Sequence, residues 1–231
     1  MKVRPIPRVL AIVPARGGSL GLPRKNLLTV GGIPLVARAI LAARECPHVG
    51  SCVLTTDDPE IRAIGIAFGA DIIERPCDLA GDSTTSQAVV RHVLESLATA
   101  GRLPEYFVLL QPTSPLRTAA HVTACIGAFF NANAQSAISV TEAKESPFKS
   151  FIEKNGLLQP LFNVEKLHAP RQTLPPVFTQ NGAIYLTSSA AFLRSNSFFI
   201  PPAMPFVMDA EASIDIDTAL DLRIAECLIS G

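Results

Sequence analysis

The sequence predicts an α/β protein built on a doubly wound, mostly parallel β-sheet with helices packed on both faces. Short continuous apolar runs, which are typical of strands buried on both sides, alternate with segments whose apolar residues recur at helical spacing. The chain has 231 residues, of which 48% are hydrophobic and 17% charged, so it can form a sizeable core and is not a disordered protein. We expect a single domain over residues 1–231.

The first part of the chain has a regular strand–helix rhythm. The apolar runs predict strands at 9–13, 51–56, 71–74, 106–110 and 136–140. Helices are expected at 34–43, 58–68, 84–98 and 118–130. Their start signals are Pro34 at a first helical position, Asp58 as an N-cap before Pro59, and a capping box from Thr84 to Gln87.

The rhythm changes between residues 141 and 180, where prolines accumulate and no strand–helix unit is recognisable. Asn155-Gly156 stands between two apolar pairs, which is the signature of a two-residue hairpin turn. An apolar hairpin that projects from an α/β body needs a partner surface, so we expect an inserted dimerisation arm at about 141–175. The regular pattern then resumes with a strand at 182–187, a helix at 189–194, a strand at 206–208 and a last helix at 218–229.

Charge and cysteine usage limit the classes of function. Twenty basic and twenty acidic residues give a net charge of +0, so no global field attracts nucleic acid or an anionic membrane. No apolar stretch approaches the roughly 18 residues of a membrane-spanning helix. The five cysteines include no C-x-x-C pair, which argues against a disulfide framework or zinc site and favours the cytoplasm. We interpret them as small core residues, with Cys77 alone in a loop.

The loop after the first strand is the strongest local signal of a binding site. It runs from Pro14 to Asn26 and combines three glycines with Arg16, Arg24 and Lys25. Glycines let backbone amides approach an anion closely, and the cations lie where a polyphosphate would sit beyond the carboxyl end of a strand. The spacing fits neither the dinucleotide-binding nor the Walker motif. A solvated basic loop without a ligand remains the alternative.

A second signal is Asp215-Ile216-Asp217, with two carboxylates on one side of a short extended segment. Mg²⁺ binds a few carboxylate oxygens together with substrate phosphates, which this pair could provide. The alternative is that Asp217 is only the N-cap of the last helix. Together, the pair and the basic loop suggest a nucleoside triphosphate with Mg²⁺.

Seven motifs in order along the chain resemble the acylneuraminate cytidylyltransferases, also called CMP-sialic acid synthetases. The resemblance covers nearly the whole chain, which makes it far more specific than any single motif. The motifs are residues 15–26, Arg75-Pro76, Leu109 to Arg117, Ser146 to Lys149, Arg171 to Pro175, Asn181 to Tyr185, and Ser213 to Thr218.

The resemblance implies a Rossmann-like sheet of the nucleotide-diphospho-sugar transferase type and a defined reaction. The anomeric hydroxyl of a nine-carbon 2-keto sugar acid attacks the α-phosphate of CTP, pyrophosphate leaves and a CMP-sugar forms. The catalytic residues it implies are Arg171, Lys25, Asp215 and Asp217, the two aspartates also holding Mg²⁺. It implies nucleotide binding by Arg16, Ser19, Lys25, Asn26, Arg75, Thr84 and Ser86, and sugar binding by Gln111, Thr113, Lys149, Tyr185, Phe198 and Phe199.

The resemblance also implies a homodimer in which the arm crosses to the neighbouring subunit. Lys149 and Arg171 would then complete the partner's active site. One departure stands in the first loop, where Leu20 replaces the lysine usual in the family. Arg24 is one candidate to compensate for the missing charge, and Lys25 with Mg²⁺ is another.

Two other functions stay open from the sequence. A nucleotide-sugar glycosyltransferase also uses a D-x-D pair, although usually in mid-chain, and a non-catalytic CTP-binding relative is conceivable because of Leu20. Among sugar acids, the residues do not distinguish N-acetylneuraminate from legionaminate or pseudaminate. A 3-deoxy-manno-octulosonate substrate fits less well, because Gly21 stands where that family has an arginine.

Overall fold

The computed structural model describes residues 6–19 and 21–230. Its strands are β1 (Val9–Pro14), β2 (Thr29–Val30), β3 (Ile33–Pro34), β4 (Val49–Thr56), β5 (Asp71–Glu74), β6 (Tyr106–Leu109), β7 (Ser136–Glu142), β8 (Phe151–Lys154), β9 (Leu157–Pro160), β10 (Phe178–Ser188) and β11 (Ala203–Val207). Its α-helices are α1 (Leu35–Arg44), α2 (Pro59–Ala67), α3 (Ser86–Thr99), α4 (Ala119–Asn131), α5 (Val164–His168), α6 (Ser189–Ser195) and α7 (Ala219–Ser230).

Seven of these strands form one sheet in the order β11-β7-β10-β6-β1-β4-β5. Neighbouring strands run parallel except β10, which is antiparallel to both β6 and β7. The chain extends the sheet in one direction from β1 through β4 to β5 and then returns to add β6 on the other side of β1. The mostly parallel, doubly wound prediction is confirmed, and the change of direction between β1 and β6 opens a crevice at their carboxyl ends.

Strand β1 shows why the central sheet is buried on both faces. Val9, Ala11 and Val13 belong to the core cluster that includes residues of α1 and α4. Leu10 and Ile12 belong to the cluster on the opposite face, which includes residues of α3 and α6. Because side chains alternate along a strand, an uninterrupted apolar run fills both layers.

Two of the three predicted start signals are displaced by one residue. Pro34 ends β3 and is the N-cap of α1 rather than its first residue. Helix α3 begins at Ser86 with Thr85 as N-cap, its side chain accepting a hydrogen bond from the Ala88 amide, so the box from Thr84 is wrong. The Asp58 cap is confirmed, since its carboxylate accepts hydrogen bonds from the first-turn amides of α2.

The irregular region is an insertion between two neighbouring strands. Residues Glu142 of β7 and Phe178 of β10 are paired in the sheet, so residues 143–177 leave and rejoin it at one place. The predicted hairpin is confirmed as β8 and β9, with Asn155 and Gly156 at φ of 56° and 78° in the turn. We call residues 143–177 the arm. It begins two residues later than expected because β7 continues to Glu142, and it ends at 177, where β10 begins four residues before its predicted start.

The small β2–β3 hairpin has no counterpart in the sequence prediction, because its strands are only two residues long. In the part of the chain that the structure describes, no helix has the length and apolar character needed to cross a membrane.

Candidate active site

Two adjoining cavities, each of about 220 Å³, open beyond the carboxyl ends of β1 and β6. Ser86 and Gln111 line both, so these two side chains stand at the junction. We call them the loop cavity, which borders the basic loop after β1, and the aromatic cavity, which borders Tyr185 and two phenylalanines. Polar side chains therefore cluster in the crevice between β1 and β6, where the strand order changes direction.

The loop cavity brings together most of the predicted nucleotide-binding residues. It also includes residues that sequence reasoning missed, notably Gly81 and Val89. Both could have been found, since they flank the start of α3 close to Thr84. The predicted residues that line this cavity are Arg16, Ser19, Lys25, Asn26, Arg75, Thr84, Ser86, Gln111 and Thr113.

The aromatic cavity brings together the predicted residues Gln111, Tyr185, Phe198 and Phe199. The ring centroids of Tyr185 and Phe198 are 5.1 Å apart, and Phe198 stacks in turn on the core residue Phe192. Phe198 is buried, whereas Phe199 is exposed and offers its ring to the cavity. Burial raises the pKa of the Tyr185 hydroxyl, and the nearby Asp215 carboxylate raises it further.

Sequence reasoning missed the polar residues of the aromatic cavity. Gln180, Gln87 and Ser197 also line it. Gln180 directly precedes the Asn181-Gly182 motif, and Ser197 directly precedes the phenylalanine pair. Adjacency to a recognised motif was the signal that could have identified both.

Lys25 and Arg24 of the basic loop point in different directions and have different partners. Lys25 Nζ lies 2.8 Å from Asp217 Oδ1, and its side chain is only 14% exposed. Arg24 has a left-handed backbone and points away, pairing with Asp58 and Glu60 at 3.2 and 2.8 Å. Arg24 is therefore engaged elsewhere and does not compensate for Leu20, which itself lies outside the described residues.

Gly17 in this loop is needed for close packing. The Gly17 amide donates to Asp57 Oδ1 at 3.1 Å, so it is already paired. A Cβ at Gly17 would lie 2.7 Å from Asp58 Oδ2, which explains the glycine. Asn26 Nδ2 donates to the Arg16 carbonyl at 2.9 Å and so links the beginning and the end of the loop.

Two arginines complete the positive side of the loop cavity. Arg16 Nη1 lies 2.7 Å from Asp82 Oδ1 at the mouth. Arg75 is buried, donates from Nη2 to the Thr55 carbonyl, and has no partner for Nε among the described residues. Burial lowers the pKa of Arg75 to about 10, with Asp57 acting against this and Arg16 reinforcing it. Arg75 remains charged at neutral pH.

Asp215 and Asp217 line neither cavity, and Asp217 is linked to the loop cavity through its contact with Lys25. The loop that carries them is tied down by the Ile216 amide, which donates to the Thr113 carbonyl at 2.8 Å. Partial desolvation raises the pKa of Asp215, as do Asp217 and Asp221, whereas the Thr113 hydroxyl and Lys25 lower it. The two carboxylates are thus close enough to repel each other.

Asp217 is not the N-cap of α7. Thr218 and Asp221 form the reciprocal pair there: the Thr218 amide donates to Asp221 Oδ2 at 2.7 Å, and the Asp221 amide donates to Thr218 Oγ1 at 3.3 Å. The side chain of Asp217 is therefore left for Lys25 and for any bound cation. The N-cap alternative is wrong.

The chemistry of this donor set fits Mg²⁺ bound together with a nucleotide. Over residues 6–19 and 21–230, no group of three or more His, Cys, Asp or Glu side chains is placed to hold a metal. Two exposed carboxylates with polyphosphate oxygens are a common Mg²⁺ environment. The residues present would therefore bind the ion with its nucleotide rather than alone.

A bulge in β10 shapes the wall between the two cavities. The register with β7 shifts between Gln180 and Tyr185, and Gly182 within it has φ of 76°. Side chains replace the missing strand partners: Ser139 Oγ accepts from the Ile184 amide at 2.7 Å, and Asn181 bonds both Ser139 and Ser213. A Cβ at Gly182 would lie 2.8 Å from Gln111 Oε1, so only glycine leaves room for Gln111.

Lys149 and Arg171 are not brought to either cavity within one chain. Lys149 Nζ donates to the carbonyls of Leu167 and Ala169 at 2.9 and 2.7 Å, inside the arm. Arg171 pairs with Glu145 at 3.0 Å and lines a separate cavity at the base of the arm. Their predicted roles in a single chain are not supported by its geometry.

Comparison with known proteins identifies similar sequences over almost the whole chain. A family profile described as cytidylyltransferase matches residues 10–201. N-acylneuraminate cytidylyltransferase of Escherichia coli O18:K1:H7 is 32% identical over 94% of this chain, which spans about half (51%) of that relative. CMP-N,N'-diacetyllegionaminic acid synthase of Legionella pneumophila is 30% identical, with 96% of each chain covered. Pseudaminic acid cytidylyltransferase of Campylobacter jejuni is 29% identical over 95% of each.

Solved structures show the same fold at low sequence identity. A CMP:2-keto-3-deoxy-manno-octonic acid synthetase complexed with CTP superposes with a TM-score of 0.71 at 18% identity, covering 96% of this chain and 98% of that one. The 4-diphosphocytidyl-2C-methyl-D-erythritol synthase of Anaerococcus prevotii gives 0.69 at 15% identity, covering 97% of each.

Proposed function

The chain belongs to the cytidylyltransferase family, and from this we propose that it transfers CMP from CTP to the anomeric hydroxyl of a nine-carbon 2-keto sugar acid of the sialic acid type. Pyrophosphate is the second product. The observation that carries the proposal is the pair of adjoining cavities, one lined by cations and one by aromatic and amide side chains, which meet at Gln111 and Ser86. The family match favours this reaction over glycosyl transfer.

The loop cavity is suited to the nucleoside triphosphate. Lys25, Arg16 and Arg75 supply positive charge, and charge-assisted hydrogen bonds to phosphate are the strong ones. In the free protein, Asp217 and Asp82 accept from Lys25 and Arg16. Incoming phosphates would take over these cations.

The aromatic cavity is suited to the sugar acid. Its apolar rings pack against the carbon faces of a sugar, and Gln111, Gln180 and Tyr185 offer hydrogen bonds to hydroxyl groups. The Tyr185 hydroxyl is neutral and able to donate at neutral pH, and its raised pKa extends this to more alkaline pH. In the proposed complex, the anomeric hydroxyl and the α-phosphate would meet at the junction beside Gln111.

In the reaction, the anomeric oxygen forms a bond to the α-phosphorus of CTP while the bond from that phosphorus to the β-bridging oxygen breaks. The hydroxyl proton is released and the electron pair leaves with pyrophosphate. Catalysis of this kind depends on positioning and charge neutralisation. Lys25 and Arg16 stabilise the negative charge that accumulates on the phosphate oxygens, and Gln111 orients the sugar.

We include Mg²⁺ as the cofactor, held by Asp215 and Asp217. When bound it neutralises phosphate charge and polarises the phosphorus being attacked. Lys25, which contacts Asp217 in the free protein, would add positive charge for the same phosphates.

The proposal extends to a homodimer in which the arm reaches the partner's active site. The arm exposes Leu157 and Leu158 to 69% and 70%, and it carries Lys149 and Arg171 away from its own cavities. A crossed dimer would cover the leucines and bring these cations to the partner's sugar acid, whose carboxylate they suit.

Mixed dimers test this extension. Lys25→Met and Arg171→Ala variants, each nearly inactive, should regain about a quarter of wild-type activity after mixing and subunit exchange, since half the dimers are mixed and each has one intact site. Mixing that restores no activity, with exchange verified by mass, would contradict a shared site.

The reaction itself is tested by pyrophosphate release from CTP and Mg²⁺ with N-acetylneuraminate, legionaminate and pseudaminate in turn. We expect release that depends on one of these acids, with the CMP-sugar detected by mass spectrometry. Asp217→Asn should lower kcat by about 100-fold or more, because it removes an ionic ligand without changing size. Asp71→Asn, at the opposite edge of the sheet, is the matched control and should retain full activity.

Three outcomes would count against the proposal. Release without any sugar acid would indicate a CTP hydrolase. A sugar transferred from a CMP-sugar to another acceptor without pyrophosphate would indicate a glycosyltransferase. Tight CTP binding with no turnover on any of the acids would indicate a non-catalytic relative.

A further inference from the structure

Arg117 is a buried cation with no acidic partner in the described part of the chain. It ends the loop between β6 and α4, and it is 3% exposed. No carboxylate of residues 6–19 and 21–230 lies within salt-bridge distance of its guanidinium, and its Nε has no hydrogen-bond partner there. Burial lowers the pKa of Arg117 to about 10, so it is still charged at neutral pH.

Its contacts join two segments that form the cavity junction. A single nitrogen, Nη1, donates to the Gln111 carbonyl at 2.9 Å and to the Ala183 carbonyl at 3.0 Å. Gln111 lines both cavities, and Ala183 follows Gly182 in the β10 bulge. The two hydrogens of one guanidinium nitrogen are therefore shared between the two sides of the junction.

A buried charge without a counter-ion is destabilising unless hydrogen bonds offset its desolvation. The bulge explains why a donor is needed at this position. Ala183 lies where the register of β10 with β7 shifts, so its carbonyl has no ladder partner in the pairing on either side. A neutral donor would bond the Ala183 carbonyl without the desolvation cost of a buried charge. The unpaired carbonyl of the bulge therefore does not by itself explain an arginine at this position.

We propose that Arg117 is a positioning residue for the transfer reaction: its guanidinium fixes the Gln111 and Gly182–Ala183 segments against each other and thereby sets the geometry at which sugar acid and nucleotide meet. This inference rests on the proposed function and deepens it. Arg117 reaches neither cavity itself, so it acts through Gln111 rather than on the substrate.

The test is a double-mutant cycle between Arg117 and Gln111. Arg117→Lys keeps the charge but loses the planar guanidinium, and should lower kcat/KM for the sugar acid by about tenfold while the KM for CTP changes by less than about threefold. In a Gln111→Ala background the same change should cost less than about twofold, because the side chain through which Arg117 acts is gone. Arg38→Lys is the matched control, since Arg38 also donates to a backbone carbonyl, that of Val30, and lines neither cavity.

Hydrogen exchange supplies a readout that does not depend on turnover. Peptides covering residues 108–114 and 180–186 should exchange faster in Arg117→Lys, whereas peptides of α1 and β4 should be unchanged. Arg38→Lys should leave the first two segments as in the wild type.

Either of two results overturns the proposal. Unchanged exchange at both segments would show that Arg117 does not hold them. Equal losses from Arg117→Lys with and without the Gln111 side chain would show a general structural role. If the wild type transfers CMP to no sugar acid, the proposed function fails, and the exchange experiment still decides whether Arg117 joins the two segments.

Discussion

The α/β body and the arm make opposite use of their charged and apolar residues. In the body, apolar side chains fill two buried layers, and Lys25, Arg16 and Arg75 face one shared crevice. In the arm, large apolar side chains are exposed, while Lys149 and Arg171 contact the arm's own carbonyls and Glu145. Within a single chain, then, the body gathers its cations at the candidate site, whereas the arm leaves large apolar side chains exposed.

The largest effect should come from removing the central cation of the body. Lys25→Met should lower kcat/KM for CTP by about 100-fold or more, because a partly buried charge-assisted contact to phosphate is lost and Asp217 is left unpaired. Lys154→Met, at the exposed end of β8 in the arm, is the control and should change kcat/KM by less than about twofold. Equal losses in the two variants would remove the distinction between the regions.

The next effect should follow from changing the apolar tip of the arm. In the proposed homodimer, replacing both Leu157 and Leu158 by Asp should give monomers in sedimentation velocity and lower sugar-acid turnover by about tenfold, since charges in an apolar contact would prevent association. CTP binding to the body should be unchanged. Glu153→Lys alters charge on the same hairpin without affecting the leucines, and should stay dimeric. A double variant that remains dimeric would exclude the tip as the interface.

A smaller effect is expected at the position where the first loop departs from its relatives. Leu20→Lys should lower the KM for CTP by about threefold, because a cation is restored near the triphosphate and Arg24 is held by Asp58 and Glu60. Leu20→Met keeps a long neutral side chain and should leave the KM unchanged. An equal or higher KM in the lysine variant would show that the body does not need this charge.

The smallest effect concerns the reactivity of the cysteine thiols in the body. At pH 8, two of the five thiols should react promptly with a thiol reagent, namely the exposed Cys77 and Cys227. Burial raises the pKa of Cys52 and Cys125 to about 12, so their reactive thiolate is almost absent. The arm contains no cysteine, so the leucine variant should label at the wild-type rate. Faster labelling of a third thiol in that variant would show that arm and body are coupled.

The sequence predicted well wherever local pattern and burial agree. The run Val9–Val13 belongs to a strand buried on both faces, and Asp58 caps α2 as its spacing predicts. It failed by one residue at Pro34 and at Thr84, because a cap depends on which hydroxyl or carbonyl actually faces the first turn. The interpretation of Cys227 as a core residue is wrong, because Cys227 lies on a face of α7 that is exposed to solvent.

The motifs identified residues of the cavity lining where those residues lie in loops at the crevice. They identified fewer of them where the lining depends on the pairing of strands in the sheet. Gln180 lines the aromatic cavity directly before the β10 bulge. The bulge depends on the register of β10 with β7, and a local sequence pattern does not show that register. Arg117 was noted only as part of a motif. Its bonds to the Gln111 and Ala183 carbonyls join segments that are far apart in the sequence, so a local pattern does not show them.

The pairing of Glu142 with Phe178 has a consequence for how such chains diversify. The ends of the arm are one strand spacing apart, about 5 Å, whatever the length of the segment between them. Insertions and deletions in that segment change the cost of closing it only slowly with length. The arm can therefore be lengthened or trimmed while the register of the sheet, and with it the crevice of the body, stays the same.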